Sequence, residues 1–237
     1  MNLQTPFRLG RGVLPLLALA FMLAGTCCSA QREYIGKYDA YVGFSDINAP
    51  FVNNLNQPGF GVQAGMAHSR WLSSGIDYSR ESGTGPLTTG LLTKSLQAEL
   101  AAGLPPGYNL RVPTDVKIQT FAAGTLLTYR RFASAPILLH PTLTAFKIDA
   151  TPRPGDPIAA AVIHVLVPSG TKRDLSGGYG FGGGTDLRIS KHVSARMLFD
   201  AAWSHPINDI LGNGGWLYRF SVGPSFHFGR DINNRIK

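Results

Sequence analysis

The residues of this chain best placed for catalysis are Ser204, His205 and Asp209, near the C-terminus. A serine, a histidine and an acid can together form the activated nucleophile of a hydrolase. That chemistry needs the three side chains to converge in space, which adjacency in the sequence does not provide. Residues 203–206 are better explained as an aromatic strand end that runs into a loop, so hydrolase activity is only a remote alternative.

Metal and cofactor chemistry finds no support in the sequence. The histidines are dispersed and no pair has the spacing of metal ligands. The two cysteines, Cys27 and Cys28, both lie within the first thirty residues, so the rest of the chain has no thiolate and no disulfide framework. We therefore predict no catalytic residue, no metal site and no cofactor, and a protein that is not an enzyme.

The remaining charged residues alternate with apolar ones, most clearly in the segment 216–228. There every second residue is large and apolar or is proline, and the residues between them are mostly polar or small, including Arg219. Strict period-two alternation predicts a β-strand with one apolar and one polar face. Thirteen residues suit a tilted strand that crosses a bilayer, and the aromatic residues gather at both ends of the segment.

Eight segments of the chain alternate in this way. The eight predicted strands are 38–47, 59–68, 71–80, 117–129, 137–146, 176–189, 193–204 and 216–228. Tight turns join three pairs of them, near 69–70, 132–135 and 190–192, whereas long connections span roughly 48–58, 81–116, 147–175 and 205–215.

Short turns at one end and long loops at the other are typical of an outer-membrane barrel with its turns in the periplasm. We predict an all-β fold, an eight-stranded antiparallel up-and-down transmembrane β-barrel with short periplasmic turns and long, partly helical extracellular loops. A closed sheet is needed because lipid tolerates no open strand edge. A soluble barrel of the lipocalin type is the alternative, but the polar face is rich in Gly and Ser and would make a poor core.

The polar faces predict a charged lumen and the apolar faces predict an aromatic girdle. A barrel of eight strands is just wide enough for side chains to fill. Charges of both signs can pair there as a structural plug, or they can line a narrow polar path. The predicted lumen network is Asp39, Asp77, Asp186, Arg188, Arg196, Asp200 and Arg219, with Gln63 and His140 beside it. The predicted girdle is Trp71, Tyr78, Tyr129, Trp203, Trp216, Tyr218, Phe226 and Phe228.

Two of the long loops contain predicted helices. Residues 91–100 have the apolar spacing of a short amphipathic helix, and residues 157–167 begin with a proline and are apolar nearly all round. Either these helices pack on each other and cap the barrel mouth, or they leave a site for a hydrophobic ligand or a surface partner at loops 81–116 and 147–175.

The chain resembles the small outer-membrane β-barrel proteins of the OmpA, OmpW and OmpX type over about residues 38–228. The resemblance depends on the rhythm of the loops, on the glycine-rich segment 179–184 and on the segment 219–229. It implies insertion by the barrel-assembly machinery, which usually reads a terminal aromatic residue, yet nine residues follow Phe228 here. OmpW-type relatives imply small hydrophobic cargo.

The N-terminus predicts export through the inner membrane. Arg8 and Arg11 precede a short apolar stretch, and Cys28, Ser29 and Ala30 offer small residues for cleavage. This pattern predicts a signal peptide at 1–30, followed by a periplasmic segment at 31–37, the barrel at 38–228 and a periplasmic tail at 229–237. A buried N-terminal helix and lipidation at Cys27 are the alternatives.

Composition limits the remaining function classes. No apolar run of about 18 residues follows position 30, which excludes a bundle of transmembrane helices. The formal charge of +8 falls to +6 without Arg8 and Arg11, and the remaining cations are scattered along the sequence. A nucleic-acid role would need a concentrated basic patch. The cations are better explained by outer-membrane lipids, including lipopolysaccharide.

We therefore predict a non-enzymatic outer-membrane barrel with a mostly filled polar lumen and a structural or surface-interaction role. The alternative is a passive transporter or narrow channel for small or hydrophobic molecules.

Overall fold

The computed structural model describes residues 34–53, 55–131 and 135–235. The predicted signal peptide, including Cys27 and Cys28, lies outside these residues. The alternating segments form eight antiparallel strands in a closed ring, in which each strand pairs with its neighbours in sequence and the last pairs with the first. The strands are β1 (Gly36–Ala49), β2 (Leu55–Ala67), β3 (Leu72–Thr88), β4 (Arg111–Tyr129), β5 (Ile137–Pro152), β6 (Lys172–Arg188), β7 (Val193–Ser204) and β8 (Gly215–Asp231). The predicted fold class is confirmed.

The two ends of the barrel differ in their connections. The short turns after β2, β4 and β6 lie at one end, the periplasmic end, together with both termini of the described chain. The opposite, extracellular end carries the longer connections after β3, β5 and β7. The prediction of a long loop at 48–58 is wrong. Pairing of β1 with β2 continues up to Ala49 and Leu55, which leaves a tight connection between them.

Large apolar side chains cover the outer face of the barrel at mid-height. Leu143, Ile76 and Phe181 are 73%, 65% and 62% exposed, and their neighbours on adjacent strands are exposed as well. A continuous exposed apolar surface of this kind is costly in water and is favourable in lipid. Among the helices of the described residues, none is long and apolar enough to cross a membrane.

The strands continue past this apolar band at the extracellular end, and their pattern reverses there. In β4, Phe121 faces outward within the band, but above it Lys117 faces outward and Ile118 faces inward. β5 shows the same reversal, with Lys147 outside and Ile148 inside. The ends of the predicted loops 81–116 and 147–175 are therefore strand, and the strands also extend slightly past the predicted limits of 38 and 228.

The reversed part of the barrel encloses a hydrophobic core. Extracellular connections close it from above: Leu92 and Leu211 form an isolated β-bridge, and Thr93 donates its backbone N–H to the carbonyl of Ile210. The buried core residues include Ile47, Leu55, Leu92, Leu110, Val112, Ile118, Phe146, Ile148, Ile163, Ile207, Ile210 and Leu217.

Both predicted loop helices are present. Helix α1 (Lys94–Gly103) begins after Thr93, whose side chain accepts the N–H of Leu96, and α2 (Pro157–Leu166) begins after Asp156. Ala159 and Ile163 of α2 are buried in the extracellular core, whereas no residue of α1, 94–103, is buried. Helix α2 therefore takes part in capping the barrel mouth.

Candidate functional site: the barrel lumen and its extracellular mouth

Arg196 lies at the centre of the charge cluster nearest the periplasm. Its Nε and Nη2 donate to the two carboxylate oxygens of Asp186 at 2.7 and 2.8 Å, a bidentate pair. Its Nη1 donates to Asp39 at 2.9 Å and to Gln63 at 2.6 Å. Only 2% of Arg196 is exposed, and the Tyr41 ring lies 6.0 Å from its guanidinium group. This one side chain ties β1, β2, β6 and β7 together across the lumen.

Arg219 organises a second cluster. Its Nη2 donates to Asp200 at 2.8 Å, and its Nη1 donates to Asp77 at 2.5 Å and to the Ser79 hydroxyl at 3.0 Å. His140 Nδ1 lies 3.9 Å from the other carboxylate oxygen of Asp200. Because these groups come from β3, β5, β7 and β8, the second cluster crosses the lumen in another direction. Two buried guanidinium groups, each hydrogen-bonded to several acceptors, thus lie inside the middle of the barrel.

Strand register and glycine explain why these groups fit. Asp186 lies directly opposite Arg196 in the β6–β7 pair, and Asp200 lies directly opposite Arg219 in the β7–β8 pair. A Cβ atom at Gly182 would collide with the Asp200 carboxylate. At Gly180 and Gly184, a Cβ atom would instead collide with the backbone of β7, so close strand packing also requires glycine on this face of β6.

The structure brings together six of the seven charged residues predicted for the lumen, as well as Gln63 and His140. Arg188 differs, because its Nη2 lies 3.4 Å from the backbone carbonyl of Tyr34 at the periplasmic mouth. His227, which was not predicted, lies 3.8 Å from Asp186 and 2.7 Å from the Ser194 hydroxyl.

Sequence reasoning missed Glu81, which is fully buried in the lumen. The Ser45 hydroxyl donates to one of its carboxylate oxygens at 2.7 Å, and its other oxygen has no hydrogen-bond partner among the described residues. Glu81 continues the inward series that contains Asp77 and Ser79, so extending the third predicted strand past Arg80 would have found it. It marks the boundary between the polar and the apolar parts of the lumen.

An apolar cavity of about 90 Å³ lies above this boundary, under the extracellular connections. Almost no polar surface lines it, so the cavity has no groups to hold water and suits a small apolar molecule. Its lining includes Leu55, Val116, Ile148, Val167, Ile210 and Leu217.

The three residues considered for hydrolysis are bonded elsewhere. Ser204 is fully buried, and its hydroxyl lies 3.0 Å from that of Ser176. His205 Nε2 lies 3.2 Å from the carbonyl of Leu211, and Asp209 forms an ion pair with Lys172. No contact joins the three side chains to one another. Within the described ranges, no group of three or more His, Cys, Asp or Glu residues is arranged to hold a metal ion.

The aromatic residues predicted for the girdle occupy both ends of the outer face. Trp71 and Tyr129, 60% and 54% exposed, lie at the periplasmic end, as do Phe226 and Phe228 on β8. Toward the extracellular end, Tyr179 packs against Trp203 and Trp216, Tyr218 against Phe199, and Tyr78 against Phe121.

The fold is similar to that of solved outer-membrane barrels. Neisserial surface protein A matches with a TM-score of 0.55 and 13% identity, over 83% of this chain and all of that protein. Ail, the attachment invasion locus protein of Yersinia pestis, matches with a TM-score of 0.49 and 8% identity, over 82% of this chain and 99% of Ail. No protein-family model matches the sequence, and no curated protein matches it. At these identities the likeness is one of fold alone.

The exposed apolar band, the polar lower lumen and this likeness together define the class. The chain forms a small eight-stranded β-barrel of the outer-membrane type, which confirms the resemblance seen in the sequence.

Proposed function

We propose that the protein is a non-enzymatic outer-membrane barrel with a closed lumen, which acts through its extracellular end in a structural or surface-interaction role. The observation that carries this proposal is the pair of buried arginine clusters. Arg196 and Arg219 are only 2% and 8% exposed, and each bonds to groups on several strands. The apolar core above them adds a second seal of different chemistry.

Ion conduction through the lumen would have to separate these pairs. A guanidinium group that loses its carboxylates inside a barrel is left buried and uncompensated, at a cost of roughly 3–5 kcal/mol. A hydrated ion would then also have to cross the apolar core, where it would lose its water without any polar replacement. The arrangement therefore favours a plug over a narrow polar path.

Conductance of refolded protein tests this proposal. We expect planar bilayers to show no stepwise current and loaded liposomes to show no swelling in small sugars. The matched positive control is Arg196→Ser combined with Arg219→Ser, which removes both guanidinium groups and should raise leakage. Regular conductance steps from the unchanged protein would refute a closed lumen.

The surface role is supported by an apolar groove of about 520 Å³ between α1 and α2. Val165 and Ile158 of α2 are 77% and 37% exposed there, facing Leu96 and Leu100 of α1. Exposed apolar grooves with polar surroundings are common at sites of protein association. This groove is our candidate for the hydrophobic ligand or partner site at the two loops.

Passive transport of small hydrophobic molecules is the second candidate, and the apolar cavity of about 90 Å³ favours it. Ala150 lines the cavity, so Ala150→Leu should lower uptake of a small aromatic compound by vesicles that contain the protein. Ala40→Leu, on the outer face of β1, is the matched control. Deletion of 157–167 should open the cap and change uptake as well. Uptake unaffected by both changes would count against transport.

Recognition by the barrel-assembly machinery is also proposed. Phe228 lies within β8 opposite Tyr38 and is 48% exposed, and the strand continues to Asp231 after Gly229, whose φ is 85°. The positive φ at Gly229 changes the backbone conformation directly after Phe228. This supports Phe228, rather than the last residue of the chain, as the aromatic signal that the assembly machinery reads. Phe228→Ala should slow insertion into vesicles containing the assembly machinery, while Phe220→Ala should not.

A further inference from the structure

Four cations that are far apart in the sequence lie together on one outer wall of the barrel. Arg80, Lys117, Lys147 and Arg173 come from four consecutive strands, β3 to β6, and all four are exposed. The sequence suggested scattered basic residues, so this grouping is a product of the fold.

The strand register places the four side chains as diagonal neighbours. Arg80 lies opposite Gln119 and Lys117 lies opposite Ser82, which makes Arg80 and Lys117 adjacent across β3 and β4. In the β4–β5 register, Lys117 and Lys147 are likewise diagonal neighbours. In the β5–β6 register, Lys147 and Arg173 are diagonal neighbours too. Diagonal neighbours in a sheet are about 7–8 Å apart. Four strands therefore present a cationic row about 14 Å wide, given the usual strand spacing.

Most of this positive charge is uncompensated. Within the described part of the chain, Arg80, Lys117 and Lys147 form no ion pair, and Arg173 lies 3.6 Å from Asp149 with 79% of its side chain exposed. Asp149 is the one acid within the row, so the row carries a net positive charge.

A groove of about 720 Å³ lies directly below the cationic row, on the lipid-facing wall of β2 to β5. Ala64, Ala123 and Ala145 form its floor, and larger residues such as Phe121 and Leu143 stand beside them. The register connects the two features: Tyr78 and Phe121 are two residues below Arg80 and Gln119 on the same outward faces. An acyl chain can therefore lie in the groove while its headgroup reaches the cations.

Among the described residues, the other strands of the barrel lack the cationic row. At the corresponding height, the outward residues of β1, β2, β7 and β8 include Asp46, Asn48, Asn56, Trp203 and Trp216, with no Lys or Arg among them. A general attraction of cations to lipid headgroups would not concentrate all of them on one side. The asymmetry indicates a particular occupant.

We propose that this wall binds one molecule of a phosphorylated glycolipid of the outer leaflet, lipopolysaccharide, with its phosphates on Arg80, Lys117, Lys147 and Arg173 and an acyl chain in the groove. Charge-assisted bonds from Arg and Lys suit phosphate oxygens. A row about 14 Å wide can hold two phosphates on one disaccharide at once, whereas a lipid with a single phosphate engages only part of it. This inference deepens the proposed contact with outer-membrane lipids and is independent of whether the lumen is closed.

Native mass spectrometry of protein refolded in detergent tests the site. Three probes are added in turn: bis-phosphorylated lipid A, the same lipid with its phosphates removed, and phosphatidylglycerol. We expect a one-to-one adduct with the first probe only. Arg80→Gln, Lys117→Gln, Lys147→Gln and Arg173→Gln combined should lower its retention more than about tenfold, since each surface cation contributes to binding of an anionic lipid.

The matched control removes the same charge elsewhere: Lys94→Gln, Arg111→Gln, Arg131→Gln and Arg230→Gln combined. This control variant should retain lipid A to within about twofold of the unchanged protein, because the four cations lie outside the row and are screened by salt. Heat-dependent gel mobility confirms that both variants form folded barrels. Equal loss in the two variants, or equal retention of phosphatidylglycerol by the unchanged protein, would overturn the proposal, because either shows only a diffuse positive surface.

Two further variants separate the charges from the groove. Ala123→Trp fills the groove without changing charge and should lower lipid A retention, whereas Ala195→Trp on the opposite wall should not. Asp149→Asn removes the acid from the row and should raise retention. Retention unaffected by Ala123→Trp would refute the acyl-chain position, and lower retention in Asp149→Asn would refute the role of the cations. Conductance of the same samples reports on lumen closure separately.

Discussion

Arg196 and Arg219 are the residues on which the proposed closure of the lumen depends. Each is almost fully buried, and each is surrounded by acceptors from several strands rather than by one partner. Removing an ion from water is costly, and the carboxylates offset that cost only while the geometry is kept. The pairing of Arg219 with Asp200 could be predicted because both lie on inward faces of neighbouring strands. The bonds from Arg196 to Asp39 and Gln63 could not, because they cross the lumen and depend on strand tilt.

Breaking the second cluster should destabilise the barrel. We expect Arg219→Ala or Asp200→Ala to lower the free energy of unfolding by roughly 3–5 kcal/mol, because each leaves a buried charge without its partner. Urea unfolding in lipid vesicles, followed by tryptophan fluorescence, measures the change. Arg173→Ala, at an exposed site, is the control and should have little effect. Unchanged unfolding of both lumen variants would disprove the structural role of the pair.

Replacement of Glu81, unlike replacement of Arg219 or Asp200, should not destabilise the barrel. Its carboxylate is buried but is held by only one hydroxyl, and the lumen clusters near it already contain more acids than arginines. We therefore expect Glu81→Gln to leave the urea midpoint unchanged or to raise it, because a neutral amide costs less to bury than a carboxylate. A fall as large as that of Asp200→Ala would show that Glu81 has a partner role in the plug.

At the scale of elements, the decisive feature is the change of pattern within single strands. In lipid, apolar side chains face outward, and in water they face inward, so β4 and β5 reverse their alternation where they leave the bilayer. A prediction that requires apolar residues on the outward face ends each strand where the outward residues become polar. For this reason Lys117 was the first residue of a predicted strand and Lys147 the first residue of a predicted loop. Helices α1 and α2 were predictable because their apolar spacing and their first residues, such as Pro157, are local signals.

The start of α2 should depend on pH through Asp156. Its carboxylate accepts the N–H of Ala159 at 2.8 Å and the hydroxyl of Tyr108, and these bonds hold the pKa of Asp156 below its usual value. A carboxyl group with a lowered pKa stabilises the fold above its ordinary pKa, about 3.9, and that stabilisation is lost as the pH falls through the folded value.

We therefore expect Asp156→Ala to speed hydrogen exchange of the Ala159 amide at neutral pH. The difference between this variant and the unchanged protein should shrink as the pH is lowered below the usual Asp range. Asp209→Ala, in another extracellular connection, should leave the Ala159 amide unaffected. Equal exchange rates at neutral pH would show that the cap does not hold the helix.

The overall fold was the most predictable feature of the molecule. Eight period-two segments joined by short turns at one end specify a closed barrel, because each strand must pair on both sides in lipid. The division of the lumen into a polar lower part and an apolar upper part was not predictable, since it depends on where the bilayer ends along each strand. The apolar cavity and the cationic row were not predictable for the same reason, because both depend on where the bilayer ends along each strand.

The depth of the barrel in the membrane can be measured with tryptophan. A variant that keeps only Trp71 should be quenched most by lipids brominated near the headgroup, because Trp71 lies at the periplasmic end of the apolar band. A variant whose single tryptophan replaces Ile76, in the middle of the band, should be quenched most by lipids brominated deep in the chain. The same quenching profile for both variants would contradict the predicted girdle.

The extension of the strands above the bilayer also determines what can reach this protein from outside. From Arg80, at headgroup level, to Thr88, β3 rises about 27 Å along its length, or about 20 Å in height at the usual tilt of a membrane barrel. Helices α1 and α2 lie in the connections that follow these extended strands. Their apolar groove is thus raised above the first sugars of a surface glycolipid, where a large molecule such as an antibody can touch it without entering the membrane.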